Sequence, residues 1–133
     1  MNSVDKINHP TLGKLVVCGL SLHTEKEVEY RTYYTEKGFF VAVPATTDIL
    51  EVEVDMSAVE SVDYYKNHDA IVQHYKGGKY IINGNAYDPV DDTVLVDYSE
   101  VYTGSKVKEY LRPSTMFYDT VTVTVPRFSE IKE

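Results

Sequence analysis

The chain has 133 residues, a net charge of −8 and a sequence pI of about 4.9, which suits one compact domain or two very small ones. An acidic chain repels phosphate backbones, which makes generic nucleic-acid binding unlikely. A single cysteine, Cys18, excludes an intramolecular disulfide and any multi-cysteine metal site. No apolar stretch has the length of a signal peptide or a membrane span, so we expect a cytoplasmic protein without membrane contact.

Alternation of apolar and polar residues predicts strands along most of the chain. The predicted strands of the first half cover residues 14–20, 28–34, 39–43 and 51–55. Those of the second half cover residues 79–86, 93–98, 106–112 and 120–125. Between the halves, Ser57 and Glu60 have the spacing of a capping box, which predicts a short connecting helix over residues 58–66.

The two halves share a residue pattern that indicates an internal duplication. His9, Gly13, Lys14, Gly19 and Tyr33 recur at constant spacing as His74, Gly78, Lys79, Gly84 and Tyr98. After a short insertion, Pro44, Thr46, Val52 and Val54 recur as Pro113, Thr115, Val121 and Val123.

Links this short require antiparallel pairing, and short twisted strands tend to curl into small barrels. We therefore expect a mainly β protein made of two tandem SH3-like antiparallel barrels joined by the helix. The predicted boundaries are an arm at 1–12, a first barrel at 13–56, a connector at 57–73, a second barrel at 74–129 and a tail at 130–133. The alternative is one continuous sandwich built from both copies.

Three blocks of the second half carry a family resemblance. They are His74-Tyr75-Lys76-Gly77-Gly78, Tyr110-Leu111-Arg112-Pro113-Ser114-Thr115-Met116-Phe117 and Val125-Pro126-Arg127-Phe128. In this order they resemble the small bacterial and phage family known as domain of unknown function 1653, over residues 74–128. The resemblance implies a shared fold and kinship, and it brings no established activity.

The first half resembles another part of the same family pattern. Leu22-His23-Thr24-Glu25 and Tyr33 look like the family's His-x-Glu segment and strand tyrosine. The second half has Asp88 in place of that histidine, and the first half has Val43 in place of the arginine before Pro44. Neither half carries the whole set of motifs.

Catalytic and metal-binding patterns are weak in this sequence. Cys18 and His23 lie on opposite faces of one predicted strand, and no Gly-x-Ser-x-Gly elbow is present. The histidines lack ligand spacing, and Asp88, Asp91 and Asp92 read as a solvated turn. We expect no metal, no cofactor and, on balance, no enzyme activity.

The strongest candidate site is a ligand-binding groove made of Tyr75, Tyr80, Tyr110, Arg112 and Phe117. An aromatic groove with one guanidinium suits a carboxylate, a phosphate or a nucleobase. It equally suits an extended peptide or a methylated cation. In the alternative interpretation these residues are structural: Met116 and Phe117 fill the core, and Arg112 stacks on an aromatic ring or binds backbone carbonyls.

Three functions follow from this candidate. The first is a non-enzymatic binding or adaptor protein, in keeping with the family's phage kinship an accessory protein that engages a host protein. The second is sequestration of a small nucleotide-like ligand, in a pocket that a homodimer could complete. The third is hydrolysis of a small substrate, with His23 or His74 as the general base.

Overall fold

The computed structural model describes residues 6–74, 78–100 and 109–124, and this part of the chain is mainly β. The strands are β1 (Lys6–His9), β2 (Gly13–His23), β3 (Val28–Thr35), β4 (Phe40–Pro44), β5 (Ile71–His74), β6 (Lys79–Asp88), β7 (Thr93–Glu100), β8 (Glu109–Pro113) and β9 (Val121–Thr124). A 3-10 helix (Ile49–Glu51) and the α-helix α1 (Met56–Glu60) follow β4, and the α-helix α2 (Ser114–Thr120) follows β8. No helix of the described residues is long and apolar enough to cross a membrane.

Both halves use the same strand pairing. β1, β2, β3 and β4 pair in sequence as antiparallel neighbours, and so do β5, β6, β7 and β8. Each half has a β-bulge in its long second strand, at Cys18 in β2 and at Asn83 in β6. β9 extends the second half by pairing with β5.

The two halves are joined by two short parallel pairings. The end of β2 pairs with β8 at Leu22 and His23, and the end of β6 pairs with β4 between Val41 and Tyr87. β1 and β5 cover only the first part of β2 and β6. The last residues of these long strands therefore leave backbone groups that a strand of the other half can pair with.

This joining corrects the expectation of two separate SH3-like barrels. All nine strands belong to one sheet, in the order β4-β3-β2-β8-β7-β6-β5-β9 with β1 on β2. Backbone pairing between β4 and β6 is limited to a single residue pair, so the sheet is not an evenly closed barrel. Residues 6–9, expected in the arm, and residues 71–73, expected in the connector, belong to strands β1 and β5.

Three buried clusters make up the core. The largest covers the first half and includes Leu15, Val41, Val43 and Ile49, with Val59 of α1 packed on it. A second lies in the second half around Val72, Ile82, Val96, Tyr98 and Phe117. The third lies where the halves meet, and its members are Tyr30, Ala42, Ala86, Leu95 and Leu111.

Two local predictions differ from the structure. Residues 51–55 alternate like a strand but have no sheet partner, because the 3-10 helix and α1 enclose them. Val52 and Val54 still pack on the first core, and the Val52 carbonyl lies 2.9 Å from Nε2 of His9. The connecting helix is shorter than the predicted 58–66. Asp55, rather than Ser57, caps it by accepting a hydrogen bond from the Ser57 backbone N–H.

The bulge in β6 depends on a glycine. Gly84 has φ +133, and a Cβ at this position would lie 2.5 Å from the Tyr64 carbonyl oxygen. We predict that Gly84→Ala lowers the free energy of unfolding by at least about 1–3 kcal/mol, the typical cost of such a backbone conformation. Gly19, beside the bulge in β2, is the matched control because its Cβ would meet no described atom within 4 Å. Urea unfolding of both variants checks this, and equal effects would contradict it.

Candidate functional site

A pocket of about 250 Å³ lies in the second half, over one face of β7 and β8. Its lining residues are Thr24, His74, Tyr80, Tyr98, Tyr110, Arg112, Phe117 and Val121. Four of the five residues predicted for the groove are therefore together in one place. The fifth, Tyr75, lies outside the described residues.

Alternation along β8 aims its side chains at the pocket. Tyr110 and Arg112 face the pocket, as predicted from their spacing. Leu111, between them, is fully buried in the core where the halves meet. The strand is thus fixed by its apolar residue and presents its polar residues to the cavity.

Tyrosine rings form the walls of the pocket. The Tyr80 ring stands nearly perpendicular to those of Tyr98 and Tyr110, with centroids 5.3 and 6.5 Å away. The Tyr98 and Tyr110 rings are 5.5 Å apart, and the Tyr110 hydroxyl donates to the Glu100 carboxylate at 3.2 Å. Such edge-to-face contacts hold aromatic rings in fixed orientations.

Helix α2 closes one side of the pocket with Phe117. Pro113 ends β8, and the helix that follows brings the Phe117 ring to 4.8 Å from the Tyr98 ring, where it is 1% exposed. Met116 was expected to fill the core beside it, but it is 39% exposed. Neighbouring residues on a helix point about 100° apart, so the burial of Phe117 turns Met116 outward.

Arg112 and Thr24 bring unpaired polar atoms to the pocket. One end of the Arg112 guanidinium is engaged, because Nη2 lies 3.1 Å from the Glu25 carboxylate. Its Nε is buried and makes no hydrogen bond of normal geometry, and the same holds for the Thr24 Oγ1, although the Tyr98 hydroxyl is close enough to both residues for them to lower its pKa. Buried polar groups are normally paired, and each exception needs an explanation.

The pocket is built by both halves. The Thr24 backbone N–H donates to the Leu111 carbonyl at 2.9 Å, which continues the pairing of β2 with β8. This contact places Thr24 and Glu25 of the first half beside Arg112 of the second. The family-like His23-Thr24-Glu25 segment and the Arg112-Pro113 block, each present in only one half, thus meet in space.

Burial affects the tyrosines of the pocket. It raises the pKa of Tyr98, against the opposing effect of the neighbouring Arg112 guanidinium. It also raises the pKa of Tyr110 to about 12, with the Glu100 carboxylate adding to the effect. Both hydroxyls therefore stay protonated at neutral pH and can donate or accept hydrogen bonds.

The corresponding region of the first half is filled with apolar side chains. Val41 and Val43 of β4 stand where β8 has Tyr110 and Arg112, and both are fully buried. Leu15 and Tyr33 complete that cluster. The described part of the first half therefore holds a core at the position where the second half has a pocket.

The remaining polar candidates have structural partners. His23 is 3% exposed, its Nδ1 accepts from the Lys26 backbone N–H at 3.1 Å, and burial lowers its pKa. Asp88 is fully buried and accepts a hydrogen bond from the Tyr30 hydroxyl. Asp91 pairs with Lys26.

Cys18 is exposed, although it follows the apolar run Leu15-Val16-Val17. Within the described ranges no three His, Cys, Asp or Glu side chains are grouped as metal ligands.

Sequence reasoning did not place Tyr98, His74 and Thr24 in the site. In the sequence, Tyr98 stands out only as the strand residue that repeats Tyr33. Alternation along the strand puts Tyr98 on the same face as Val96, and this rule could have located its side chain. Thr24 had a signal in the family-like segment around it, but nothing in the sequence shows that this segment reaches β8.

A comparison with protein families gives one finding. A family model described as a protein of unknown function (DUF1653) matches residues 70–130, which include most of the pocket but not Thr24 and Glu25. No curated protein and no solved structure matches the chain.

Alanine substitutions of Phe117 and of its neighbour Met116 in α2 should affect stability differently. Phe117→Ala removes a fully buried ring, and we predict a loss of about 3–5 kcal/mol in the free energy of unfolding. Met116→Ala, on the same helix turn, should cost less than about 1 kcal/mol because Met116 is exposed. Chemical denaturation measures both. A large loss for Met116→Ala would contradict the assignment of the two side chains.

Proposed function

We propose that the protein is a non-enzymatic binding module, and that its ligand site is the pocket walled by Tyr80, Tyr98 and Tyr110 with Arg112. The ligand is a compact planar group that carries a carboxylate or a similar acceptor. A small molecule or the carboxylate of a partner protein could present this group. A module of this kind would act as an adaptor.

The unpaired Nε–H of Arg112 is the observation that carries this proposal. A buried N–H donor without a partner costs about 1–3 kcal/mol, and a ligand oxygen at this position would remove the cost. The Thr24 hydroxyl, which also makes no hydrogen bond of normal geometry, can supply a second hydrogen bond to the ligand. Arginine suits this role because its planar fork can bind both oxygens of a carboxylate.

The size and walls of the pocket favour a compact ligand. Its volume of about 250 Å³ is below the roughly 300–1,000 Å³ of most small-molecule sites. A complete nucleotide is therefore a poorer fit than a single ring with an anionic group. Tyrosine faces pack well on a flat ligand, and their hydroxyls remain available for hydrogen bonds.

Glu25 competes with the ligand for Arg112. Its carboxylate already occupies Nη2, and its side chain is only 36% exposed. It neutralises the guanidinium while the pocket is empty, and an incoming carboxylate meets its negative charge. We therefore expect the native glutamate to weaken the binding of anions and to favour ligands that pair strongly with Nε.

Binding is a better explanation than hydrolysis for these residues. A nucleophilic thiol needs a lowered pKa, whereas partial desolvation of the otherwise exposed thiol and the charges of Asp97 and Glu109 raise the pKa of Cys18. His23 is too buried to reach a substrate and already accepts a backbone hydrogen bond. His74 does line the pocket, and a hydrolase would have to rely on it.

We further propose that the chain arose by tandem duplication. The same strand order, the two bulges and the reciprocal pairings of β2 with β8 and of β6 with β4 support this. In this account a pocket existed at both junctions, and the first-half copy was lost when aliphatic residues such as Val41 and Val43 replaced its polar lining. The chain then keeps a single tyrosine pocket.

The proposal is tested with benzoate as the probe. We expect saturable binding of benzoate to the native chain by calorimetry, with one molecule per chain. Arg112→Lys keeps the positive charge but lacks Nε, so it should weaken binding at least about tenfold (~1.4 kcal/mol) while leaving the melting temperature nearly unchanged. Glu25→Gln should strengthen binding, because it removes the competing carboxylate.

Two controls distinguish benzoate binding in this pocket from nonspecific electrostatic attraction to the protein. Benzamide has the ring and size of benzoate without its charge and should bind more weakly. Arg31→Lys, which changes an arginine of β3 whose Nη1 donates to the Ala45 carbonyl, should leave benzoate binding unaltered. Equal binding to native and Arg112→Lys proteins, or a large loss of stability in the variant, would mean that Arg112 has a structural role.

A further inference from the structure

A second cavity, of about 300 Å³, lies where the two halves meet. Its lining residues are Cys18, Gly19, Thr32, Phe40, His68, Asn83, Gly84, Asn85, Asp97 and Glu109. Asp97 alternates with Tyr98 on β7, and Glu109 alternates with Tyr110 on β8. The cavity is therefore on the opposite face of these strands from the tyrosine pocket.

Corresponding positions of the two halves line this cavity. Cys18 and Asn83 are the two bulge residues. Thr32 and Asp97 pair with Gly19 and Gly84 in equivalent registers.

Phe40 and Glu109 are the first residues of β4 and β8. The second half thus contributes both carboxylates, and the first half contributes a hydroxyl and an aromatic ring.

Two deeply buried side chains in this lining have unpaired oxygens. Thr32 and Asn85 are each 5% exposed, and neither the Thr32 Oγ1 nor the Asn85 Oδ1 has a hydrogen-bond partner. The amide of Asn85 is held in place by its Nδ2, which donates to the Asp63 carbonyl at 2.9 Å. Both oxygens can accept hydrogen bonds from a molecule inside the cavity.

The two carboxylates are only partly compensated. Asp97 accepts a hydrogen bond from Asn83 at 3.1 Å, and Glu109 accepts one from Ser21 at 3.3 Å. No lysine or arginine of the described residues lines the cavity. Burial, and to a smaller extent the charge of Glu109, raise the pKa of Asp97 to about 7, so the empty cavity disfavours the ionised form of this carboxyl.

We propose that this cavity is a binding site for a compact organic cation, an alkylammonium or alkylguanidinium. Its N–H donors pair with Asp97, Glu109 and the unpaired oxygen of Thr32, and its alkyl part lies against the Phe40 ring. Such a cation supplies a positive charge beside the two carboxylates and donors for the unpaired oxygens, and an aromatic face adds to its attraction. A cavity of about 150 Å³ holds benzene, so the volume here leaves room for several heavy atoms.

Asp97 also makes stability depend on pH. Between pH 3.8 and about 7 the unfolded chain ionises this carboxyl while the folded protein keeps it protonated. The native protein therefore loses stability as pH rises through this window, relative to a variant with a neutral residue. We predict that Asp97→Asn raises the melting temperature by several degrees at pH 8 and by much less at pH 4.5, measured by differential scanning fluorimetry. An equal shift at both values would contradict it.

The polar and titratable groups that line the cavity with Asp97 come from several elements. Glu109 belongs to β8, Asn83 and Asn85 to β6, Cys18 to β2, Thr32 to β3 and His68 to the turn after α1. Because a bound cation favours the ionised carboxylate, its affinity should rise as pH increases through 7.

The site is tested with butylammonium chloride and 1-butanol, a neutral molecule of similar size. We expect saturable binding of butylammonium to the full chain by calorimetry at pH 8, and at least tenfold weaker binding of 1-butanol. Asp97→Asn should weaken butylammonium binding at least tenfold. Thr32→Val, nearly the same shape without the hydroxyl, should also weaken it while the protein stays folded by circular dichroism.

One matched variant and two divalent cations serve as controls. Glu60→Gln removes one negative charge from an exposed position of α1 and should leave the affinity unchanged. Equal binding of butylammonium and 1-butanol, native affinity in Asp97→Asn, or saturable binding of Mg²⁺ or Ca²⁺ without any of butylammonium would each overturn the proposal. Benzoate binding reports on the other face of the sheet, so the two sites succeed or fail separately.

Discussion

The central core and both cavities depend on the two parallel pairings that join the halves, β2 with β8 and β4 with β6. Each involves only one or two residue pairs, yet they bring Leu111 and Ala42 into a common buried cluster with Tyr30 and Leu95. Apolar burial at this cluster supplies the stabilisation that so few hydrogen bonds cannot. Without it the halves would expose strand ends and lose the walls of both cavities.

Buried side-chain atoms without hydrogen-bond partners lie in the walls of both cavities. The described residues have four such buried side-chain atoms, on Thr24, Thr32, Asn85 and Arg112. Two line the tyrosine pocket and two line the cavity between the halves. One pocket presents an N–H donor and the other presents oxygens beside carboxylates, so opposite faces of β7 and β8 suit opposite kinds of ligand. A core selected for stability alone would pair or remove these atoms.

Local residue patterns predicted much of this architecture, and contacts between distant segments account for what was missed. Alternation located strands such as 28–34 and 93–98, and the same rule put Tyr110 and Arg112 on one side. It could not show that the end of β2 reaches β8, because two residue pairs leave no periodic signal. Thr24 and Glu25 were therefore absent from the predicted groove. Met116 was misplaced because its direction depends on which residue of α2 enters the core.

The tyrosine pocket combines side chains from both halves of the chain. Residues 70–130, the part that the family model matches, contain Arg112 but not the threonine and glutamate that stand beside it. A separate polypeptide of that length would have to recruit those two side chains from another molecule, and its occupancy would vary with protein concentration. Because β2 and β8 belong to one chain, their side chains are always present together. The completeness of the proposed site therefore does not depend on protein concentration.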